Sequence, residues 1–203
     1  LILEGFGTKV ISTPAKDNID GAIREAQTLM QASNGRYYMP NQYDNEANVL
    51  AHFETTGPEI LQQTNGRVDY FVAGMGTTGS LMGVGSYLKS VKPEVKIVGV
   101  EPVPGHTIQG LKNMTESMVP GIYRPEQLDA KETVEDGEAF EITRLLATRE
   151  GLFVGTSSGA AVAVALRLAK SIECGTIVVL LPDRGDRYLS TMQFRSICAK
   201  CPP

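Results

Sequence analysis

The feature that most constrains this chain is a single stretch near its middle. Val68-Asp69-Tyr70-Phe71-Val72-Ala73 has the apolar, β-branched and aromatic content of a strand, and Gly74-Met75-Gly76-Thr77-Thr78-Gly79-Ser80 is a glycine-rich turn. Leu81 to Val91 has helical periodicity, and Lys96 to Val100 is apolar and strand-like again. Two strands joined through one helix pair in parallel, because a crossover of that length returns the chain to the same end of the sheet. The sequence therefore predicts an α/β protein with a parallel sheet.

The rest of the chain is consistent with that frame. Thr8 to Thr13 and Arg36 to Met39 read as short strands around a helix from Asp17 or Asn18 to about Ala32, with Ile19, Ala22, Ile23, Ala26, Leu29 and Met30 on one face. Residues 46–64 read as helical, interrupted at Gly57-Pro58. Residues 102–133 are rich in Pro and Gly and lack periodicity, as an active-site excursion often does. Helices are expected over Glu138 to Arg149 and from Gly155-Thr156-Ser157-Ser158-Gly159 to about Ser171. A buried strand at Thr176 to Leu181 and a short helix near Arg187 to Phe194 complete the reading.

Composition excludes several functions. The net charge is −4 and the basic stretch from Lys89 to Lys96 is broken by Glu94, so no basic stripe suits a nucleic acid. Apolar runs such as Ile177 to Leu181 are strand-length, far short of a membrane span. No basic, then apolar, leader precedes the fold, and a cytoplasmic protein is expected. The first residue is Leu1 and not Met, which suggests a piece of a longer polypeptide. Three cysteines do not make a disulfide framework: Cys174 reads as an ordinary thiol, and Cys198-Ala-Lys-Cys201 has neither a second pair nor a nearby His. Half a zinc site, a redox pair or a plain tail remain open for that pair.

The glycine turn has two chemical readings. Gly74 to Gly79 satisfies G-x-G-x-x-G, and Glu101 follows about twenty residues later at the end of the next strand, as a dinucleotide fold requires. No Lys follows Gly79, so the turn is not a Walker A loop. The alternative is a cup for one phosphate monoester. Glycines admit the anion close to the backbone, a helix N-terminus offers unpaired N–H groups and partial positive charge, and Thr77, Thr78 and Ser80 add hydroxyl donors. A terminal phosphate uses hydroxyl donors better than a pyrophosphate does, so the monoester is favoured. A tight turn holding no ligand is the third possibility.

Seven segments, in order, carry a resemblance. They are Pro40 to Asn45 (PNQYDN), Thr55 to Ile60 (TTGPEI), Ala73 to Ser80 (AGMGTTGS), Gly99 to Pro102 (GVEP), Ile108-Gln109-Gly110, Glu150 to Ala161 (EGLFVGTSSGAA) and Leu181 to Thr191 (LPDRGDRYLST). Together they resemble the fold-type II pyridoxal-phosphate (PLP) enzymes of the cysteine synthase and cystathionine β-synthase family over nearly the whole chain. The resemblance implies a three-layer parallel-sheet α/β fold, similar to the tryptophan synthase β subunit, with the N-terminal part absent. Residues 1–44 would end a smaller domain, 45–196 form the large phosphate-binding domain, and 197–203 make a tail.

By the same resemblance, Gly76, Thr77, Thr78, Gly79 and Ser80 form the cofactor's phosphate cup. The family commonly has Gly where this chain has Thr78 and Thr where it has Ser80, which keeps the hydroxyl count. Ser157 corresponds to the serine that bonds the pyridine nitrogen; it could equally cap the helix that follows. A neutral serine supports a weaker electron sink than a carboxylate and suits elimination. Gln42 corresponds to a glutamine for the substrate carboxylate, and Gln109-Gly110 to a mobile stretch beside the substrate. Lys112 stands where some relatives carry an arginine, and it reads either as a partner for a substrate phosphate or as an exposed loop lysine. The family's Schiff-base lysine, in Ser-x-Lys-Asp/Asn-Arg, and its Ser/Thr-Gly-Asn-Thr-Gly loop have no counterpart here. About the first hundred residues of a typical member are absent, so no catalytic residue is assigned in this chain, and alone it is expected to be inactive.

The implied activity is cysteine synthesis from O-acetylserine or O-phosphoserine and sulfide. The implied partners are those small molecules, the N-terminal part of the same enzyme and a second copy in a homodimer, with no nucleic acid and no membrane. Cystathionine β-synthase, an NAD-binding domain and a non-catalytic relative are the alternatives.

Overall fold

The structure is a computed structural model and describes residues 2–189. The described residues fall into two compact units, one ending at Asn41 and one starting at Gln42. In the first, a four-residue helix α1 (Ile2–Gly5) and a 3-10 turn at Ala15–Asp17 precede α2 (Asn18–Ala32). Asn34 and Gly35 then end α2 with positive φ, 49° and 81°. The strands expected at Thr8 to Thr13 and Arg36 to Met39 are not formed. A strand exists only where a neighbour takes its N–H and C=O groups, and neither segment has a ladder partner among the described residues, leaving Val10 and Ile11 exposed.

The second unit is built on a parallel sheet. Helices α3 (Ala47–Glu54) and α4 (Thr56–Gln63) lead into β1 (Tyr70–Gly74), α5 (Gly79–Val91) and β2 (Lys96–Pro102). After the excursion come β3 (Ala130–Val134), α6 (Asp136–Glu150), α7 (Thr156–Ser171) and β4 (Ile177–Val179), then a 3-10 turn at Gly185–Tyr188. The strand order is β3-β2-β1-β4, with Phe71 opposite Ile97 and Val178 and Val100 opposite Glu132.

Period-2 alternation divides β1 and β2 between two cores. Phe71, Ala73 and Ile97 face Leu81, Met82, Val84 and Leu88 of α5. Val72, Val98 and Val100 face Ala139 of α6 and Ala160, Ala163 and Val164 of α7. Helices α3, α4 and α5 form one layer; α6 and α7 form the other, with α7 lying on all four strands. Burial on both faces explains why β1 and β2 read as continuous apolar runs.

Three details differ from the sequence reading. The helical break falls at Thr55, with φ −122° and ψ −72°. Gly57 and Pro58 lie inside the first turn of α4, where a proline's missing N–H has no intrahelical role. Strand β3 arises within the stretch read as irregular: as an edge strand it keeps Lys131, Glu132 and Thr133 outward and buries only Val134. Strand β4 is partly exposed rather than buried, because among the described residues it has a neighbour on one side only. The end of the helix expected near Phe194, the tail and the Cys198–Cys201 pair lie outside the described residues. Cys174 is an exposed free thiol.

Candidate functional site: an anion cup at the ends of the parallel strands

Open parallel sheets place ligands outside the carboxyl ends of their strands, where successive connections leave on opposite faces. Here that point lies between β1 and β4. From β1 the chain turns through α5 on one face to β2, while β4 is reached through α7 on the other. The cavity there, about 230 Å³, is lined by Gly74, Gly76–Ser80, Gly110, Leu111, Ser157, Leu180 and Pro182. Among the described residues no carboxylate lines it, so no charged group on that wall repels an anion.

The cup is shaped by close backbone approaches. A Cβ on Gly76 would stand 2.7 Å from the Gly110 carbonyl oxygen, and one on Gly79 would collide with the Asn48 amide. The excursion is held against the cup by the Lys112 amide, which donates to the Met75 carbonyl at 2.8 Å. Helix α5 runs for thirteen residues away from the cup and leaves its first amides without intrahelical carbonyls. The start of α7 is fixed by the Gly155 amide donating to Asp183 O and the Gly185 amide donating to Phe153 O, both at 3.1 Å. Those bonds hold Ser157 beside the segment that follows β4.

Thr77 is arranged as a donor, and Thr78 has no partner. Thr77 Oγ1 accepts from the Gly79 amide and from Asn48 Nδ2, both at 3.2 Å. With both lone pairs engaged, its own proton is free for an acceptor in the cavity. Thr78 is 3% exposed, its Oγ1 has no hydrogen-bond partner, and its backbone is left-handed with φ 70°. A β-branched residue in that region costs about 1–2 kcal/mol, and a buried unmade hydroxyl costs about as much again. Both penalties fall on a side chain that lines the cavity. Ser80 Oγ is 3.0 Å from Nε2 of His52, whose Nδ1 is 2.9 Å from Thr56 Oγ1. Partial burial lowers the His52 pKa, so the ring is neutral at neutral pH.

The remaining sequence candidates are placed as follows. Ser157 is in the first turn of α7 and makes no capping hydrogen bond; Gly155 is the N-cap, so the capping alternative is set aside. Gln42 is tied to the cup through its carbonyl, which accepts from Asn48 Nδ2 at 2.7 Å, while its side chain is not among the cavity-lining groups. Gln109 is exposed beside Gly110. Lys112 is not the exposed loop lysine that was one of its readings. It is 3% exposed, lies over the Tyr43 ring with Nζ 5.0 Å from the centroid, and donates to Met118 O at 3.2 Å. No lysine lines the cavity among the described residues.

Glu101, the acidic residue a dinucleotide would need, is committed elsewhere. Its Oε1 pairs with Lys131 at 2.8 Å and its Oε2 accepts from the Met114 amide at 3.0 Å. Sequence reasoning missed His52 and Asn48. Each is a single polar residue on α3, and only the packing of α3 against α5 brings them to the cup.

The arrangement suits a terminal phosphate at a helix N-terminus, with the Ser157 hydroxyl on the facing helix lining the same cavity. The family comparison agrees: residues 1–183 match the model of the pyridoxal-phosphate dependent enzymes, and this chain belongs to that family. It is 43% identical over 198 residues to the cysteine synthase of Aquifex aeolicus, covering 95% of this chain and 61% of that protein. The solved cysteine synthase of Entamoeba histolytica superposes with a TM-score of 0.85 at 35% identity, over 95% of this chain and 60% of the other. The O-acetylserine dependent cystathionine β-synthase of Helicobacter pylori superposes with a TM-score of 0.88 at 36% identity, over 96% of this chain and 65% of the other. The chain thus spans about three-fifths of the length of these relatives.

The cup fits the family's cofactor on the structure's own terms. It has an unpartnered buried hydroxyl at Thr78, a Thr77 proton left free by two donors, and a wall without carboxylates.

Proposed function

We propose that the protein to which this chain belongs makes L-cysteine by β-replacement, from O-acetylserine or O-phosphoserine and sulfide. The observation that carries this reading is the single cavity shared by Gly76–Ser80 and Ser157. Pyridoxal phosphate, when bound, supplies the electron sink that lets a substituent leave the β-carbon of an amino acid. Gly76, Thr77, Thr78, Gly79 and Ser80 would hold its phosphate, and the Ser157 hydroxyl would meet its ring nitrogen. Gln42, held near the cup by Asn48, is assigned to the substrate carboxylate, and Gln109-Gly110 to the substrate side of the cavity. Lys112, seated over Tyr43, is assigned to the framework instead of to a substrate anion. The lysine that bonds the cofactor and takes the substrate proton is assigned to a part of the enzyme outside these 203 residues, and a homodimer is the working assembly.

The likeness to the Helicobacter pylori cystathionine β-synthase supports a second reading, in which a thiol such as homocysteine replaces sulfide. One assay separates the two. The full-length protein is given O-acetylserine or O-phosphoserine with sulfide or with homocysteine, and the amino-acid product is identified. Cysteine from sulfide is the expected product. Cystathionine alone would move the assignment to the second reading, and a protein that copurifies with a nicotinamide dinucleotide and lacks pyridoxal phosphate would overturn both.

A further inference from the structure

His52 lies outside the cavity wall, yet it decides which way one wall hydroxyl points. Its Nε2 is 3.0 Å from Ser80 Oγ and its Nδ1 is 2.9 Å from Thr56 Oγ1. A neutral imidazole carries one proton, so two arrangements satisfy both contacts. With the proton on Nδ1, the ring donates to Thr56 and the Ser80 hydroxyl is spent donating to Nε2. Ser80 then turns only lone pairs toward the cavity. With the proton on Nε2, Thr56 donates to Nδ1, the ring donates to Ser80, and the Ser80 proton is free. A phosphate accepts hydrogen bonds and offers almost none, so it is compatible with the second arrangement alone. Thr77 is converted into a donor by the same logic, through Asn48 and the Gly79 amide.

We infer that His52 is a positioning residue that sets Ser80 as a hydrogen-bond donor to a ligand phosphate, and that phosphate binding selects its Nε2–H tautomer. The inference rests on the phosphate-cup reading and goes beyond it, because no residue outside the cavity wall is needed for that reading.

The test is run on the full-length protein with pyridoxal 5'-phosphate and with pyridoxal, which lacks the phosphate. Long-range proton–nitrogen correlation spectra identify the protonated nitrogen of His52; within these 203 residues, His106 is the one other histidine to be distinguished. The Nε2–H form is expected to be the sole form once pyridoxal 5'-phosphate or inorganic phosphate is bound. His52→Leu keeps the Ser80 hydroxyl but removes the ring N–H that orients and polarises it, and is expected to weaken pyridoxal 5'-phosphate about threefold and to leave pyridoxal unchanged. His52→Gln, whose amide can donate to Ser80, is expected to recover most of that loss. In a Ser80→Ala background His52→Leu should have no further effect on affinity. A bound form with the proton on Nδ1, or equal weakening of both ligands, overturns the inference while the cup reading stands. Pyridoxal 5'-phosphate binding no tighter than pyridoxal to the unaltered protein takes down both. The tautomer measurement needs no variant, so a misfolded His52→Leu protein does not block the test.

Discussion

Thr78 concentrates two penalties that a folded chain ordinarily avoids. Its β-branched side chain sits on a left-handed backbone at φ 70°, and its buried hydroxyl has no partner. Exchanging the hydroxyl for a methyl group leaves shape and backbone alone and removes only the polar atom. Thr78→Val is therefore expected to raise the stability of the ligand-free protein by about 1 kcal/mol and to weaken pyridoxal 5'-phosphate about tenfold. Urea unfolding and ligand titration on the same samples check the two signs. A residue retained for packing alone would leave affinity unmoved. At Gly79 the constraint is steric: the position a Cβ would take is already filled by the Asn48 amide. Gly79→Ala is expected to push Asn48 off both Thr77 and the Gln42 carbonyl, with loss of measurable cofactor phosphate binding in the same titration.

At the scale of the elements, the strands are pinned by carboxylates at their N-terminal ends. Asp69, just before β1, accepts from the Thr176 amide at 2.8 Å and from Lys92 at 3.3 Å, and its carboxyl is lowered by that backbone bond first and Lys92 second. Burial pushes Asp129 up, but hydrogen bonds from Lys89, the Ile97 amide and Lys96 outweigh it, so it too is lowered. A carboxyl lowered in the folded state contributes stability that is present above its unfolded pKa of about 4 and is lost as pH falls through the folded value. Both groups thus steepen the loss of stability in acid. Asp69→Asn and Asp129→Asn are expected to lower the urea midpoint by more at neutral pH than at an acid pH below the unfolded value of about 4. The midpoint measured at both pH values is the check.

Those same elements explain what the sequence made visible. Strands β1 and β2 are legible because both faces are buried. Strand β3 is not, because an edge strand with Lys131, Glu132 and Thr133 outward has the composition of a loop. Conversely, Val10 and Ile11 have strand composition but no ladder partner among the described residues. The glycine turn was legible because backbone approach to an anion demands glycine at fixed spacing. His52 and Asn48 carry no such local mark: their role exists only once α3 lies across α5.

The whole molecule adds a coupling that no single segment contains. The excursion after β2 touches the cup at one end, where the Lys112 amide bonds Met75 O, and it is bound at the other to residues 43–46. There the Ile122 amide donates to Tyr43 O at 3.2 Å, the Gly121 amide to Asp44 Oδ1 at 3.1 Å, and Arg124 pairs with Glu46 at 2.7 Å. Lys112 joins the two ends, its ammonium over the Tyr43 ring and bonded to Met118 O. A buried ammonium held by a π face and a carbonyl is fixed in place, because moving it into the cavity breaks both contacts and drags Tyr43, the neighbour of Gln42. Two roles for Lys112 therefore give different kinetics. As a partner for a substrate phosphate, Lys112→Met would raise KM for O-phosphoserine and spare O-acetylserine. As the joint between the excursion and residues 43–46, it is expected to raise both KM values by a similar factor, about three- to tenfold for the loss of about 1 kcal/mol. The same substitution should speed hydrogen exchange at the Gly121 and Ile122 amides, which a contact made only to substrate would leave protected.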